Sequence, residues 1–259
     1  MDKLDDKNAE IGDCEQSPRV VIVFSGGQDS TTCLYWVLNN FYPNLDKALR
    51  KKYIQLVTFD YGQRHSIELE SAKKIAEFAH LETIFINISE ALRGASSLLS
   101  SNAELLTHEN LEEFTTGGVP QTFVPARNLL FLSLAANIAY DFKAEHIVTG
   151  VCETDYAGYF DCRKVFIDSM QATINQALFG TDKNIQIHTP LMYLNKADTV
   201  RLAQSLGDEC MQALAYSHTC YSGVFPPCGK CHACHLRARG FKDAGVDDPI
   251  FSISRKSLC

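Results

Sequence analysis

The stretch FSGGQDSTTCL (residues 24–34) follows directly on the apolar run RVVIVF, and this junction decides the fold. A β-branched run breaks into two adjacent glycines and then into hydroxyl and acidic side chains that open a helix from about Ser30. Helix N-termini expose unpaired N–H groups and the positive end of the helix dipole, and glycine lets backbone approach phosphate oxygens closely. A bare Ser-Gly-Gly could be only a tight turn with a Ser/Asp cap. The six-residue pattern after a strand reads instead as a phosphate cradle, with Val20 to Phe24 in the core on either reading.

Working outward, short apolar runs alternate with helical patterning: YIQLVTF then SIELESAKKIAEFAH, TIFINIS, RNLLFLSLAANIAYDF, HIVTGV, VFIDSMQATINQALF, IQIHTPL and NKADTVRLAQSLG. Nearly continuous apolar strands, each followed by a 3.6-residue period, belong to a parallel sheet covered on both faces. The expected fold is therefore α/β, a Rossmann-like parallel sheet with helices on both faces. Residues 1–18 are acidic and polar and are expected to be disordered, 19–207 to form the α/β domain, and 208–259 a small cysteine-bearing appendage. A polar insertion at residues 89–120 is either a surface excursion or a flap over the site.

The 259 residues carry a formal net charge of −7, which argues against a broad electrostatic grip on nucleic acid. No apolar run reaches the roughly 18 residues that cross a bilayer, and the first residues lack a signal-peptide pattern, so a cytoplasmic location with no membrane partner is expected.

Four of the ten cysteines crowd into Cys220, Cys228, Cys231 and Cys234, a C-x7-C-x2-C-x2-C pattern. Two-residue spacers let successive thiolates face one ion, and four thiolates suit a closed, structural zinc site. Bacterial ferredoxin runs share C-x2-C-x2-C but place the fourth cysteine downstream before proline, whereas here it lies upstream. His218, His232 and His235 are read as bystanders; Cys33 and Cys210 as buried thiols, Cys14 and Cys259 as exposed ones, and Cys152 and Cys162 as flanking a polar loop.

Three further polar loops fall at strand ends or helix starts on the ligand side of such a sheet: DYGQRH (60–65), VPARN (124–128) and GVCETDYAGYFDCR (150–163), the last gathering Glu153, Asp155, Asp161 and Arg163. Any one charge there could be a cap or a solvated loop residue. Three such loops beside a phosphate cradle make a site.

The loop lacks the lysine of a Walker A motif. It resembles the PP-loop of the ATP pyrophosphatase superfamily, SGGxDS, carried by Ser25, Gly26, Gly27, Gln28, Asp29 and Ser30. With YGQRH, FVPARN, TGVCETDYAGYFDCR, TPLMYLNKADTV and CGKCHACHLRARGF, the chain is similar from about Arg19 to Phe241 to the 7-cyano-7-deazaguanine synthases of queuosine biosynthesis. It departs from them at Ala126 (usually Gly), Cys152 (Asn or Ser), Ala157 (Ser) and Phe160 (Pro), and residues 42–52 are longer than usual.

The resemblance implies ATP-dependent conversion of 7-carboxy-7-deazaguanine and ammonia to 7-cyano-7-deazaguanine, with Mg²⁺, one structural zinc per chain and a homodimer. It implies nucleotide binding by Phe24, Ser25, Gly26, Gly27, Gln28, Asp29, Ser30, Thr31, Thr32, Cys33 and Leu34. Catalytic roles are expected for Ser25, Asp29, Ser30 and Arg163, with Asp29 acting through Mg²⁺ or a backbone N–H. Substrate is expected at Gln63, Arg64, His65, Arg127, Asn128, Asp155, Tyr156, Asp161 and Arg163: Arg163 or Arg127 on the 7-carboxylate, Asp155 or Asp161 on the guanine-like edge. A PP-loop tRNA thiolase or amidotransferase-type ligase is the alternative enzyme. A zinc-bearing binding module with a degenerate nucleotide fold leaves the intact SGGQDS loop unexplained.

Overall fold

In a computed structural model of the chain, residues 17–63, 67–92, 96, 99, 122–154, 159–180 and 184–253 are described. The expected strands all form: β1 (Val20–Val23), β2 (Ile54–Asp60), β3 (Thr83–Asn87), β4 (His146–Val148) and β5 (Gln186–His188). They make one parallel sheet in the order β3-β2-β1-β4-β5, with β1 central. The order reverses at β1, which places a crevice at the carboxyl end of β1 beside β4.

The strand period sorts the core into two layers. Val20 and Ile22 of β1, with Ile54 and Leu56 of β2, face one layer, which is closed by α1 (Gln28–Phe41), α3 (Ile67–Phe78) and α6 (Lys196–Ser205). Val21, Val57 and Phe59 face the other, under α4 (Arg127–Phe142) and α5 (Lys164–Leu178). The exception to double-sided cover is edge strand β3, whose Ile84 and Phe85 are exposed.

The segment from 208 onward, expected as an appendage of turns, holds two more helices, α7 (Asp208–Tyr216) and α8 (His232–Ala244). Cys210, Ala213, Leu214 and Phe241 from them enter the first core layer. The long residues 42–52 lead into α2 (Arg50–Tyr53), whose buried Arg50 donates to the Ala79 carbonyl at 2.9 Å and pairs with Glu209 of α7 at 2.9 Å.

Cys33 and Cys210 are buried, as expected. Among the described residues, no helix is long and apolar enough to cross a membrane. Residues 1–16, most of 89–120, Arg64, His65, Asp155, Tyr156, Cys14 and Cys259 lie outside the described residues.

Candidate active site

The SGGQDS loop turns tightly between β1 and α1. Gly26 has φ +76°, and a Cβ on it would stand 2.4 Å from the Ala72 backbone nitrogen, so only glycine lets the loop rest on α3. Ser30 Oγ ties the loop together: it accepts from the Ser25 N–H at 3.2 Å, lies 3.1 Å from Ser25 Oγ and donates to the Gly27 carbonyl at 3.1 Å. Gly27 is the N-cap of α1, and no side chain caps that helix end. Its first N–H groups are therefore available to an anion. Asp29 projects from the first turn into an ion pair with Lys196 Nζ, which reaches its two oxygens at 2.7 and 2.9 Å. Sequence reasoning quoted Lys196 within NKADTV but gave it no role.

A cavity of about 250 Å³ opens above this loop at the carboxyl ends of β1, β2 and β4. One wall is aromatic: the Phe59 and Phe131 rings stack 4.2 Å apart at 14°, with Tyr61 next to Phe131. Gln63 fixes the turn after β2, accepting from the Tyr61 N–H at 2.9 Å. Arg127 and Glu68 also line the cavity, and neither forms an ion pair within the described residues. Burial alone would lower the Arg127 guanidinium, yet the phenols of Tyr61 and Tyr159 and the nearby Cys162 and Asp161 hold it above its ordinary value. It is a fixed cation. Burial pushes the Tyr61 phenol up to about 12, with Glu68 adding to the rise. Glu68 is itself raised above the usual carboxylate range by desolvation, which the charges of His218 and Arg127 oppose in part.

Two buried polar groups on the lining lack a hydrogen-bond partner of good geometry: Gln28 Nε2 and the ring nitrogens of His218. Orphaned polar atoms at a cavity wall fit a polar ligand, since leaving them unpaired costs about 1–3 kcal/mol each. The His218 backbone N–H donates to the Gly26 carbonyl at 3.1 Å, so residues 217–219 wall the loop.

The expected site residues divide. Phe24, Ser25, Gly27, Gln28, Asp29, Ser30, Gln63, Arg127 and Asn128 meet at the cavity. Thr31, Thr32, Cys33 and Leu34 do not line it: the two threonine hydroxyls donate to the carbonyls of Gly27 and Gln28, while Cys33 and Leu34 point into the core. Asp161, expected on the purine edge, does not line the cavity. It is buried and caps α4, its Oδ2 accepting from the Asn128 N–H at 3.0 Å. Arg163 begins α5 with its guanidinium 4.7 Å over the exposed Phe160 ring, off the cavity. Glu153 caps α5 by accepting from the Lys164 N–H at 3.1 Å. Cys162 is inert, burial pushing its thiol up to about 12, and Cys152 donates to the Leu194 carbonyl at 3.1 Å. Glu68, Lys196 and His218 are functional candidates that the sequence reading passed over.

At the far side of residues 217–219, Cys220, Cys228, Cys231 and Cys234 bring their sulfurs within 4.8 Å of one another. Cys231 is the N-cap of α8 and Cys234 lies in its first turn. Tetrahedral bonds of about 2.3 Å to zinc would set sulfurs about 3.8 Å apart, and Cys228 and Cys234 stand at 3.9 Å. Backbone N–H groups of Lys230 and Cys231 donate to Cys228 Sγ at 3.4 Å each. Hydrogen bonding from Cys231 and Cys234 pulls the Cys220 thiol well below its ordinary range. The four residues fit a metal ion. None of the three nearby histidines is needed to complete the set.

Comparison with known proteins agrees with this geometry. The family model "Queuosine biosynthesis protein QueC" matches residues 19–245. The chain is 46% identical to the 7-cyano-7-deazaguanine synthase of Chromobacterium violaceum, over 90% of this chain and 92% of that protein. It is 46% identical to that of Gloeobacter violaceus, over 93% and 98%, and 48% identical to that of Staphylococcus epidermidis, over 86% and 92%. Among solved structures, the U34-tRNA thiolase NcsA of Methanococcus maripaludis superposes with a TM-score of 0.41 at 13% identity, covering 93% of this chain and 71% of that one. An intact cradle, an aromatic-walled cavity and a four-cysteine centre thus stand on a sequence matched almost end to end: the chain belongs to the QueC family of queuosine biosynthesis proteins.

Proposed function

We propose that the chain is a 7-cyano-7-deazaguanine synthase that uses ATP to convert 7-carboxy-7-deazaguanine and ammonia into the nitrile. The observation that carries the reading is the start of α1, uncapped among the described residues, beneath a cavity lined by the Arg127 guanidinium, which forms no ion pair among those residues. A carboxylate resists ammonia until one oxygen becomes a leaving group. Adenylation of that oxygen releases pyrophosphate, ammonia then displaces the adenylate to give the amide, and a second activation removes the amide oxygen to leave the C≡N bond. The family match favours this reaction over tRNA thiolation.

In this proposal the N–H groups at the start of α1, with Ser25 and Ser30, hold the phosphates. Lys196 is placed to follow the charge on Asp29 or to move onto a phosphate when Mg²⁺ takes that carboxylate. Arg127 takes the 7-carboxylate, being the cation that lines the cavity where Arg163 does not. Holding two substrates in one water-poor cleft supplies proximity and charge stabilisation, both large contributions. The four cysteines hold one structural zinc, whose chemistry is to fix the N-terminus of α8. Homodimerisation and a cytoplasmic location complete the proposal.

Incubation with 7-carboxy-7-deazaguanine, ammonium and Mg-ATP, read by mass spectrometry, should yield the nitrile and pass through the amide. No nitrile and no amide would refute the reading. Metal analysis should give zinc without iron; a brown protein with acid-labile sulfide would refute that part.

A further inference from the structure

Glu68 is the acidic group of the cavity that nothing described so far uses. It sits in the first turn of α3, and its backbone is pinned, because the Glu68 carbonyl lies only 2.8 Å from where a Cβ on Gly26 would be. Its side chain lines the cavity and makes no hydrogen bond among the described residues. A partly buried carboxyl group without a donor is costly, and desolvation accordingly raises its proton affinity. Within the described residues there is no second group of three metal-ligating side chains around it, so a protein-built cation cage does not account for it.

The same cavity carries a fixed cation, Arg127, close enough for its charge to oppose in part the rise at Glu68. It is walled by the stacked rings of Phe59 and Phe131. With Asp29 taken by Lys196, a cavity with an aromatic wall, the Glu68 carboxyl group and the Arg127 guanidinium suits a flat heterocycle bearing two adjacent N–H donors and a separate anionic substituent. The substrate of the proposed reaction has that polarity: N1–H and the 2-amino group on one edge, the 7-carboxylate elsewhere. Of the two acids expected on that edge, Asp161 already accepts from the Asn128 N–H and Asp155 lies outside the described residues.

We infer that Glu68 is the specificity-determining residue for the base, its carboxylate accepting from N1–H and the 2-amino group of the guanine-like ring while Arg127 holds the 7-carboxylate. The inference rests on the synthase reading above. Two acceptor oxygens match two adjacent donors, and a paired contact of this kind discriminates by roughly ten- to a hundredfold, or about 1.4–2.7 kcal/mol.

The test compares 7-carboxy-7-deazaguanine with its analogue lacking the 2-amino group, using wild type, Glu68→Gln and Glu68→Asp, with the KM for ATP measured in parallel. Wild type should prefer the 2-amino compound at least about tenfold in kcat/KM. Glu68→Gln should lose that preference to within about threefold, with the KM for the 2-amino compound up about ten- to a hundredfold and the KM for ATP within about twofold. Glu68→Asp keeps a carboxylate one methylene short and should raise KM for the 2-amino compound more than for the analogue. That difference decides the matter if Glu68→Gln does not fold. Retained discrimination in Glu68→Gln, equal effects on both compounds in Glu68→Asp, or a change confined to ATP or Mg²⁺ would each overturn the assignment to Glu68. A wild type that converts neither compound would remove the synthase reading itself, and the inference with it.

Discussion

At the residue scale, Asp29 and Lys196 join the nucleotide loop to a helix that starts far along the chain. Their pair is mostly shielded from solvent, with side-chain exposures of 22% and 11%. Hydrogen bonds between charged groups contribute about 1.5–3 kcal/mol, so Asp29→Ala should lower the melting temperature by several degrees and turnover by at least about a hundredfold. Ser25→Ala should lose turnover with little change in melting temperature, since Ser25 is exposed. Calorimetry beside steady-state assays separates the two outcomes. Near wild-type rates in either variant would make the loop only a turn. Ala126 offers the opposite experiment. It holds φ 58°, ψ 19° just before Arg127, a left-handed conformation that disfavours any Cβ by about 1–2 kcal/mol. Ala126→Gly should therefore stabilise the protein by about 1 kcal/mol and raise the melting temperature by about 2–4 °C, read by thermal unfolding. Two acids of the loop at residues 150–163 stand at helix starts. Asp161 and Glu153 are cap acids, and a cap is chemically identical to a ligand acid until its hydrogen-bond partner is known.

At the element scale, α6 and α8 cross at Gly240. A Cβ there would lie 2.9 Å from Lys196 Cβ and 3.1 Å from the Lys196 carbonyl oxygen. Gly→Ala inside a helix ordinarily stabilises by about 1 kcal/mol; here the overlap should reverse the sign and cost about 1–3 kcal/mol. We expect Gly240→Ala to lower the melting temperature and to raise the KM for ATP, because the displaced backbone is that of Lys196. The β4–β5 side carries a pH-dependent pair. His146 and His188 sit with ring nitrogens 3.0 Å apart, and burial, then the neighbouring His146, lowers His188 to about 4. A histidine depressed on folding favours the folded state above its unfolded value near 6.5, and that contribution is lost as pH falls through the window from 6.5 to 4. Melting temperature should drop across this window, and His188→Gln should flatten the slope. The strands were legible because short apolar runs alternate with helical patterning along the chain. Helices α7 and α8 were not, because α7 is short, and α8 mixes two arginines, two histidines and a glycine into its span.

At the scale of the whole molecule, the four-cysteine cluster and the SGGQDS loop are two sides of one wall. Arg237 of α8 donates to Ser217 Oγ at 2.8 Å and pairs with the buried Asp248 at 2.6 Å, and residues 217–219 then lean on the loop. Removing the metal should loosen all of these. Treatment with a strong chelator should lower the melting temperature by about 10 °C, on the order of what a site filled a thousandfold above its dissociation constant contributes. It should also weaken ATP binding measured by calorimetry, and added zinc should restore both. The cysteine spacing made the centre visible in the sequence. Its contact with the loop was invisible there, since no local pattern records which distant segments meet.

One backbone hydrogen bond has a consequence for synthesis. The His218 N–H closes onto the Gly26 carbonyl, so the loop after β1 is finished by a segment that follows all five strands in the chain. Contacts of such long sequence separation form late, after the intervening chain has emerged and packed. A nascent chain stalled before residue 217 can pair its strands yet cannot close the SGGQDS loop. The sheet can therefore form during translation before the wall beside that loop is in place.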